Sequence, residues 1–262
     1  MDSRTVPVPT SLVHGSAAGI YPSREIGMHD YPHYEKGTTT LGFIFNNEGL
    51  MVTLEHARLP SGSFPENLCI LNSHLLASIS GGNGNIRTFY LSYLQTKCRE
   101  HEHLKGARAS AAEASKWLAD FLSDRPYSDD PLSLGTLIAG WDDESGPALY
   151  KVNAKGERCE RPFMGTGSSS DGCALISIPR DKISVTDASK LAKRALCLGV
   201  CLVPESCECV SVFHIGSDGL AAVVFNDDIG EWLEQYFSEV GENHREMFSK
   251  IRSQYGGRSF VF

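Results

Sequence analysis

The chain has 262 residues, of which 41% are hydrophobic and 21% are charged, so it can bury a sizeable core in one large domain or two small ones without disulfides. Its formal net charge of −8 and the lack of a basic patch argue against a nucleic-acid partner. No apolar run approaches the roughly 20 residues of a membrane helix, and the start MDSRTVPVPT lacks the apolar region of a secretory signal.

Residues 1–37 contain four prolines with several glycines and serines, and they show no sustained helical or strand period. We interpret this segment as a loosely ordered leader. The folded domain is expected over residues 38–262, because strand patterns begin at Thr38.

The first half of this domain predicts two hairpins and a pair of helices. TTTLGFIF and GLMVTLEHARL flank the polar, glycine-containing NNEG, which is typical of a hairpin. CILNSHLLASISGG predicts two short strands that meet at Asn72 and Ser73. Apolar residues at helical spacing follow in residues 86–102 and 111–122, which predicts two amphipathic helices.

The second half of the domain also predicts groups of strands followed by helices. LGTLIAGWD, GPALYKVNAKGE with a turn at its Asn-Ala-Lys-Gly, and ERPFMGTGSSS predict strands, and residues 184–202 predict a helix. ECVSVFHIGSDGLAAVVF predicts a hairpin that turns at residues 217–219, before a last helix over residues 229–240. Because strands are grouped into hairpins and helices into pairs, we expect antiparallel sheets covered by helical layers rather than a βαβ chain.

The eight cysteines are scattered along the chain. Cys197 with Cys201 and Cys207 with Cys209 are close pairs, but they lack the second pair or the histidine partner of a zinc site. We interpret the cysteines as reduced thiols of an intracellular protein. The sequence predicts no metal and no other cofactor.

Four sequence blocks carry a resemblance to a known family. GTTTLGF before a hairpin, SISGGNG opening a helix, LGTLIAGWDDESGPALYKVNAKGE and GTGSSS resemble the beta subunits of the 20S proteasome, most closely the chymotrypsin-like type at the fifth beta position. The similarity extends from about residue 37 to about residue 240 and is most specific over residues 134–157.

This resemblance implies an α+β fold, the four-layer αββα sandwich of N-terminal-nucleophile hydrolases, with two antiparallel sheets between helical layers. It also implies assembly with other proteasome beta and alpha subunits in stacked seven-membered rings that act on polypeptide substrates. We expect such a particle in the cytoplasm and nucleus, with neither nucleic acid nor membrane as a partner.

The resemblance also assigns a nucleophile. Residues 1–37 correspond to a propeptide, which active members remove by cleavage between Gly37 and Thr38 so that Thr38 becomes the N-terminus. A threonine hydroxyl is a poor nucleophile at its ordinary pKa, and in this class the free α-amino group of the same residue acts as its base. That base does not exist until the bond is cut.

Five further residues match functional positions of the family. Gly81 matches the residue whose backbone N–H is the oxyanion donor, a group worth about 3 kcal/mol of barrier, and Ser206 matches a serine that supports the terminal amine. Thr166 stands where the family usually has Ser and keeps a hydroxyl. Ile79 and Asn83 match positions that line the pocket for the substrate side chain.

Three positions depart from the family pattern. Asn67 stands where the family has a Lys, Glu55 near the Asp that pairs with this Lys, and Val203 at a second Asp. No Lys occurs in residues 38–96 and no Asp in residues 38–119, so neither can be recovered by shifting the alignment. Arg58 is no substitute, because a guanidinium stays protonated and cannot act as the base.

These departures favour a pseudoenzyme, a chymotrypsin-like-type beta subunit whose own site is inactive or impaired and whose role in the ring is structural. A well-placed acid or base contributes about 10²- to 10⁴-fold, and charges that act as one unit are not additive. The alternative is an active threonine endopeptidase of chymotrypsin-like specificity, in which the terminal amine alone is the base and Glu55 substitutes for the Asp. A third hypothesis, another N-terminal-nucleophile amidohydrolase, is disfavoured by the block around Trp141.

Overall fold

The structure is a computed structural model that describes residues 6–7, 38–45, 49–61, 63–82, 84–124, 134–167, 183–202 and 208–241. Its strands are β1 (Val6–Pro7), β2 (Thr40–Phe45), β3 (Gly49–His56), β4 (Leu68–Asn72), β5 (Leu75–Ser80), β6 (Gly135–Asp142), β7 (Gly146–Asn153), β8 (Arg158–Glu160), β9 (Phe163–Thr166), β10 (Cys209–Gly216) and β11 (Gly219–Asp228). Its helices are α1 (Gly84–Lys105), α2 (Ala111–Ser123), α3 (Val185–Leu202) and α4 (Ile229–Val240).

Two antiparallel sheets stack face to face. The six-stranded sheet has the order β1-β11-β10-β3-β2-β9, and the five-stranded sheet has the order β4-β5-β6-β7-β8. Leu54 and Phe213 of the first sheet and Leu76 and Leu137 of the second are fully buried in the layer between them. Most strand residues are buried on both faces, because helices cover the outer face of each sheet.

The helices form the two outer layers. Helices α1 and α2 pack on the five-stranded sheet, and α2 begins with a capping box between Ser110 and Glu113. Helices α3 and α4 pack on the six-stranded sheet through buried side chains such as Leu196 and Trp232. The predicted four-layer αββα sandwich is confirmed.

Every hairpin and helix predicted within the described ranges is present, with ends that differ by a few residues. The structure differs from the prediction in the leader, where Val6–Pro7 pairs with Ala222 and Ala221 at the outer edge of β11. An edge strand offers unpaired backbone groups, so a short extended segment can pair with it whatever its hydrophobic period. Apart from this pair, residues 1–37 lie outside the described residues. None of the described helices is long and apolar enough to cross a bilayer.

Candidate active site

Thr38, the predicted nucleophile, lies two residues before the start of β2 and is half-buried. Its Oγ1 accepts a hydrogen bond from Nδ2 of Asn67 at 2.6 Å. Asn67 precedes β4, and only 5% of it is exposed. The structure therefore places the residue that replaces the family's Lys directly against the Thr38 hydroxyl.

The amide of Asn67 limits what it can do to this hydroxyl. Its Nδ2 also lies 3.5 Å from the carbonyl oxygen of Glu55, so both of its hydrogens face acceptors. An amide nitrogen donates hydrogen bonds and cannot take up a proton. Asn67 thus contacts Thr38 Oγ1 without being able to act as its base, and it brings no charge to the site.

Glu55 lies on β3 and is 3% exposed. Its Oε2 accepts a hydrogen bond from the Thr39 N–H at 3.3 Å, whereas Oε1 has no hydrogen-bond partner among the described residues. Burial raises the pKa of Glu55 to about 7, although hydrogen bonds from Thr39 act to lower it. Near neutral pH this carboxyl group therefore keeps a proton that an exposed Glu would have lost.

A chain of hydroxyl groups links Thr38 to the other sheet. Ser80, at the end of β5, donates from Oγ to the Thr38 carbonyl oxygen at 2.7 Å, and the same Oγ lies 2.8 Å from Thr166 Oγ1. The structure thus brings the predicted residue Thr166 to the site through Ser80. Sequence reasoning missed Ser80, although its place directly before the predicted Gly81 was an available signal.

Two glycines shape the backbone here. Gly81 follows β5 with a φ of 79°, in the left-handed region that favours glycine, and it is buried. Gly167 has a φ of 91°, and a Cβ at this position would lie 2.3 Å from the Thr38 carbonyl oxygen. Gly167 therefore lies against the nucleophile residue, which sequence reasoning did not predict.

The remaining predicted residues have no described hydrogen bond with Thr38 or lie outside the described ranges. Ile79 lies beside the site, because its backbone N–H donates to the Asn67 carbonyl oxygen at 2.8 Å, and it is fully buried in the core between the five-stranded sheet and its helices. Arg58 is half-exposed and forms an ion pair with Asp228, so it is engaged at the surface rather than at Thr38. The predicted residues that lie outside the described ranges are Gly37, Asn83, Val203 and Ser206.

The described part of the chain shows no group of metal ligands, and two of its buried thiols are held in the protonated form. No three His, Cys, Asp or Glu side chains within these ranges are grouped as metal ligands. Burial raises the pKa of Cys69 and of Cys98 to about 12, which keeps these thiols protonated and unreactive.

Two stacked antiparallel sheets are covered by helices on both outer faces, and a threonine lies just before a strand at one end of the space between them. This arrangement defines the class of N-terminal-nucleophile hydrolase folds. A family model described as Proteasome subunit matches residues 34–201, and the chain belongs to this family. The resemblance predicted from the sequence is confirmed.

Relatives narrow the similarity to particular beta types. The chain is 37% identical over 212 residues to proteasome subunit beta type-5 of Spinacia oleracea, and the aligned region covers 78% of this chain and 75% of that protein. It is 33% identical over 201 residues to proteasome subunit beta type-5 of Gallus gallus, with coverage of 74% and 76%. Proteasome subunit beta type-8 of Homo sapiens is 30% identical over 207 residues, with coverage of 76% and 72%.

Proposed function

We propose that this chain is a beta subunit of a 20S proteasome core particle, at the fifth beta position, with an inactive or strongly impaired site of its own. It assembles with other beta and alpha subunits in stacked rings in the cytoplasm and nucleus. Its function is structural, since it completes the beta ring around the chamber in which other subunits cleave polypeptides. The family match and the beta type-5 relatives support the assembly.

The single observation that carries the loss of activity is the amide donor 2.6 Å from Thr38 Oγ1. An ammonium group at this place would bring a positive charge that favours deprotonation of the hydroxyl. Asn67 has neither charge nor a proton-accepting nitrogen. Because a positioned acid or base is worth about 10²- to 10⁴-fold, Thr38 is left with little chemistry of its own.

One observation favours the second candidate, an active threonine endopeptidase with chymotrypsin-like specificity. Burial holds the pKa of Glu55 at about 7, a value suited to a general base at neutral pH. However, the described hydrogen bond of this carboxyl group is with the Thr39 N–H, whereas the Thr38 hydroxyl is bonded to Asn67. The active candidate therefore depends on the α-amine of Thr38 as the base, after the bond to Gly37 is cut.

Particles isolated through an affinity tag on this chain distinguish the candidates. We expect the chain to sediment with other proteasome subunits, and Thr38→Ala to leave the hydrolysis of a chymotrypsin-like peptide per particle unchanged. A loss of about tenfold or more on Thr38→Ala would establish the active candidate. A chain that runs only as a lone 28.6 kDa species would refute the assembly.

A further inference from the structure

A β-bulge lies near the end of β11, where the two residues Phe225 and Asn226 oppose the single residue Ser211 of β10. Asn226 has a φ of 58°, and within the described part of the chain it is the one residue other than glycine with a positive φ. Its backbone N–H donates to Ser211 Oγ at 3.1 Å. A bulge of this kind bends a strand and changes the direction of its side chains.

The carboxamide of Asn226 binds the backbone of Leu59, which lies in the segment that connects β3 to β4. Its Oδ1 accepts from the Leu59 N–H at 3.1 Å, and its Nδ2 donates to the Leu59 carbonyl oxygen at 3.3 Å. One side-chain amide thus supplies the two hydrogen bonds that an antiparallel partner strand would give this residue. Because a carboxylate has no hydrogen to donate, aspartate here could form only the first of these bonds.

Phe225, the other residue of the bulge, contacts the same segment nearer to the site. Its ring centre lies 5.3 Å from that of Phe64, and Phe64 also packs on the buried Phe213 ring at 6.0 Å. Arg58 adds an exposed ion pair with Asp228 at the end of β11, but exposed pairs contribute little to stability. The bulge therefore holds the segment at two places, by an amide and by an aromatic ring.

The segment depends on such attachments because it forms no strand of its own in the described ranges. Its internal backbone hydrogen bonds close two turns, one at Ser63 and one at Leu68. Asn67 lies at its end, three residues after Phe64, and donates from Nδ2 to Thr38 Oγ1. The place of the Asn67 amide thus depends on where the rest of the segment is held.

We propose that Asn226 and Phe225 are positioning residues of the Thr38 site, which fix the place of Asn67 by attaching the segment between β3 and β4 to the bulge of β11. Their described contacts are with this segment and with β10, so they act on Thr38 through Asn67. All of these contacts lie within one chain. The inference therefore goes beyond the proposed function and is independent of ring assembly.

Matched glycine substitutions test the role of the amide. Glycine adopts a positive φ readily, so Asn226→Gly removes the carboxamide without adding backbone strain. The control is Asn72→Gly, because the Asn72 carboxamide also donates to one backbone carbonyl, that of Ala109, and accepts from one backbone N–H, that of His74. Asn72 is at the opposite end of β4 from Asn67, so its loss should leave the site in place.

Hydrogen exchange of the full chain measures the position of Asn67, because the Ile79 N–H donates to the Asn67 carbonyl oxygen at 2.8 Å. Relative to the slowest amides of β5, which report global unfolding, we expect the Ile79 amide to exchange about tenfold faster or more in Asn226→Gly and in Phe225→Ala. Asn72→Gly should match the wild type at this amide. Asn226→Asp keeps one bond to Leu59, so it should lie between, and it carries the test if Asn226→Gly does not fold.

A pH profile separates positioning from a merely structural contact. Burial raises the pKa of Glu55, whose carbonyl oxygen lies 3.5 Å from Asn67 Nδ2. If Asn67 moves away, water reaches this carboxyl group, so Asn226→Gly should lose less unfolding free energy than the wild type between about pH 4 and about pH 8. Asn72→Gly should follow the wild type.

Three results would overturn the inference: an Ile79 amide that exchanges as in the wild type in both bulge variants, equal acceleration in Asn72→Gly, or a wild-type pH profile in Asn226→Gly. Each of them would leave the proposed function standing, since that function concerns assembly and the chemistry of Asn67 itself.

Discussion

Asn67 and Glu55 are both buried beside Thr38, and the lack of a positive charge at residue 67 affects both the Thr38 hydroxyl and the pKa of Glu55. A buried carboxylate needs a counterion or several hydrogen bonds to remain ionised. Asn67 offers no charge, and Oε1 of Glu55 has no hydrogen-bond partner in the described part of the chain. The pKa of Glu55 therefore rises to about 7, so the position of the missing Lys affects both the nucleophile and the neighbouring acid.

Glu55→Gln should change how the stability of the chain depends on pH. The folded pKa of about 7 lies above the ordinary value of 4.5, so the folded state holds the proton more tightly. The stability that this provides is complete below pH 4.5 and is lost as pH rises through 7. Between about pH 4 and about pH 8 the wild type should lose about 3 kcal/mol more unfolding free energy than the variant. Urea unfolding at both pH values measures this difference.

His56 also titrates in this pH range, but its contribution does not enter the comparison of the two proteins. Burial lowers the pKa of His56, whose Nε2 lies 2.8 Å from Ser211 Oγ, so its contribution has the opposite sign and is lost as pH falls below 6.5. Because His56 is present in both proteins, its effect cancels in the comparison. Parallel pH profiles for wild type and Glu55→Gln would contradict a perturbed Glu55.

Asn67→Lys alone should not restore substantial peptide turnover. The new ammonium would meet Glu55, which is longer by one methylene than the family's Asp and whose Oε2 accepts from Thr39. Val203, outside the described residues, would still replace the second Asp. Asn67→Lys with Glu55→Asp and Val203→Asp should give clearly higher turnover of a chymotrypsin-like peptide in tagged particles. Turnover by the single variant that equals that of the triple variant would show that the three positions do not act together.

At the level of secondary-structure elements, the end of β9 is fitted closely to the start of β2. Gly167→Ala should lower the unfolding free energy by more than backbone strain alone, because the new Cβ would lie 2.3 Å from the Thr38 carbonyl oxygen. Gly106→Ala is the matched control, since Gly106 also has a positive φ but has nothing within 4 Å of a Cβ. Strain there costs roughly 1–2 kcal/mol. Similar unfolding free energies for the two variants in urea would rule out a close contact at Gly167.

The elements themselves could be predicted because their signals are local. The NNEG turn, the Ser217 to Gly219 turn and the spacing of apolar residues in the helices depend on neighbours in the sequence. The contacts of Ser80 and Gly167 with Thr38 could not be predicted, because they join residues 42 and 129 positions apart in the chain. The Ser80 contact joins the two sheets, and the Gly167 contact joins the neighbouring strands β9 and β2 of one sheet. The position of Asn67 at the site could be predicted only from the family resemblance, because an Asn before a strand carries no other sign of a catalytic role.

At the scale of the whole molecule, the proposed cleavage between Gly37 and Thr38 would decide whether the site gains a free α-amine. The family match begins at residue 34, just before Thr38. Removal of the leader by the chain itself requires the Thr38 hydroxyl to attack the Gly37 carbonyl while the α-amine is still in the peptide bond. At that stage the described neighbours offer the hydroxyl only the Asn67 amide donor, which is not a base.

Intact-mass measurement of this subunit from assembled particles tests the account most directly. We predict that the leader is retained, or that an active neighbour trims it before Gly37 in its proline- and glycine-containing part and leaves a ragged stub. The spectrum should then show the full chain or several species that begin upstream of Thr38. A single species that begins at Thr38 would contradict the account and establish that the site performs its own first reaction.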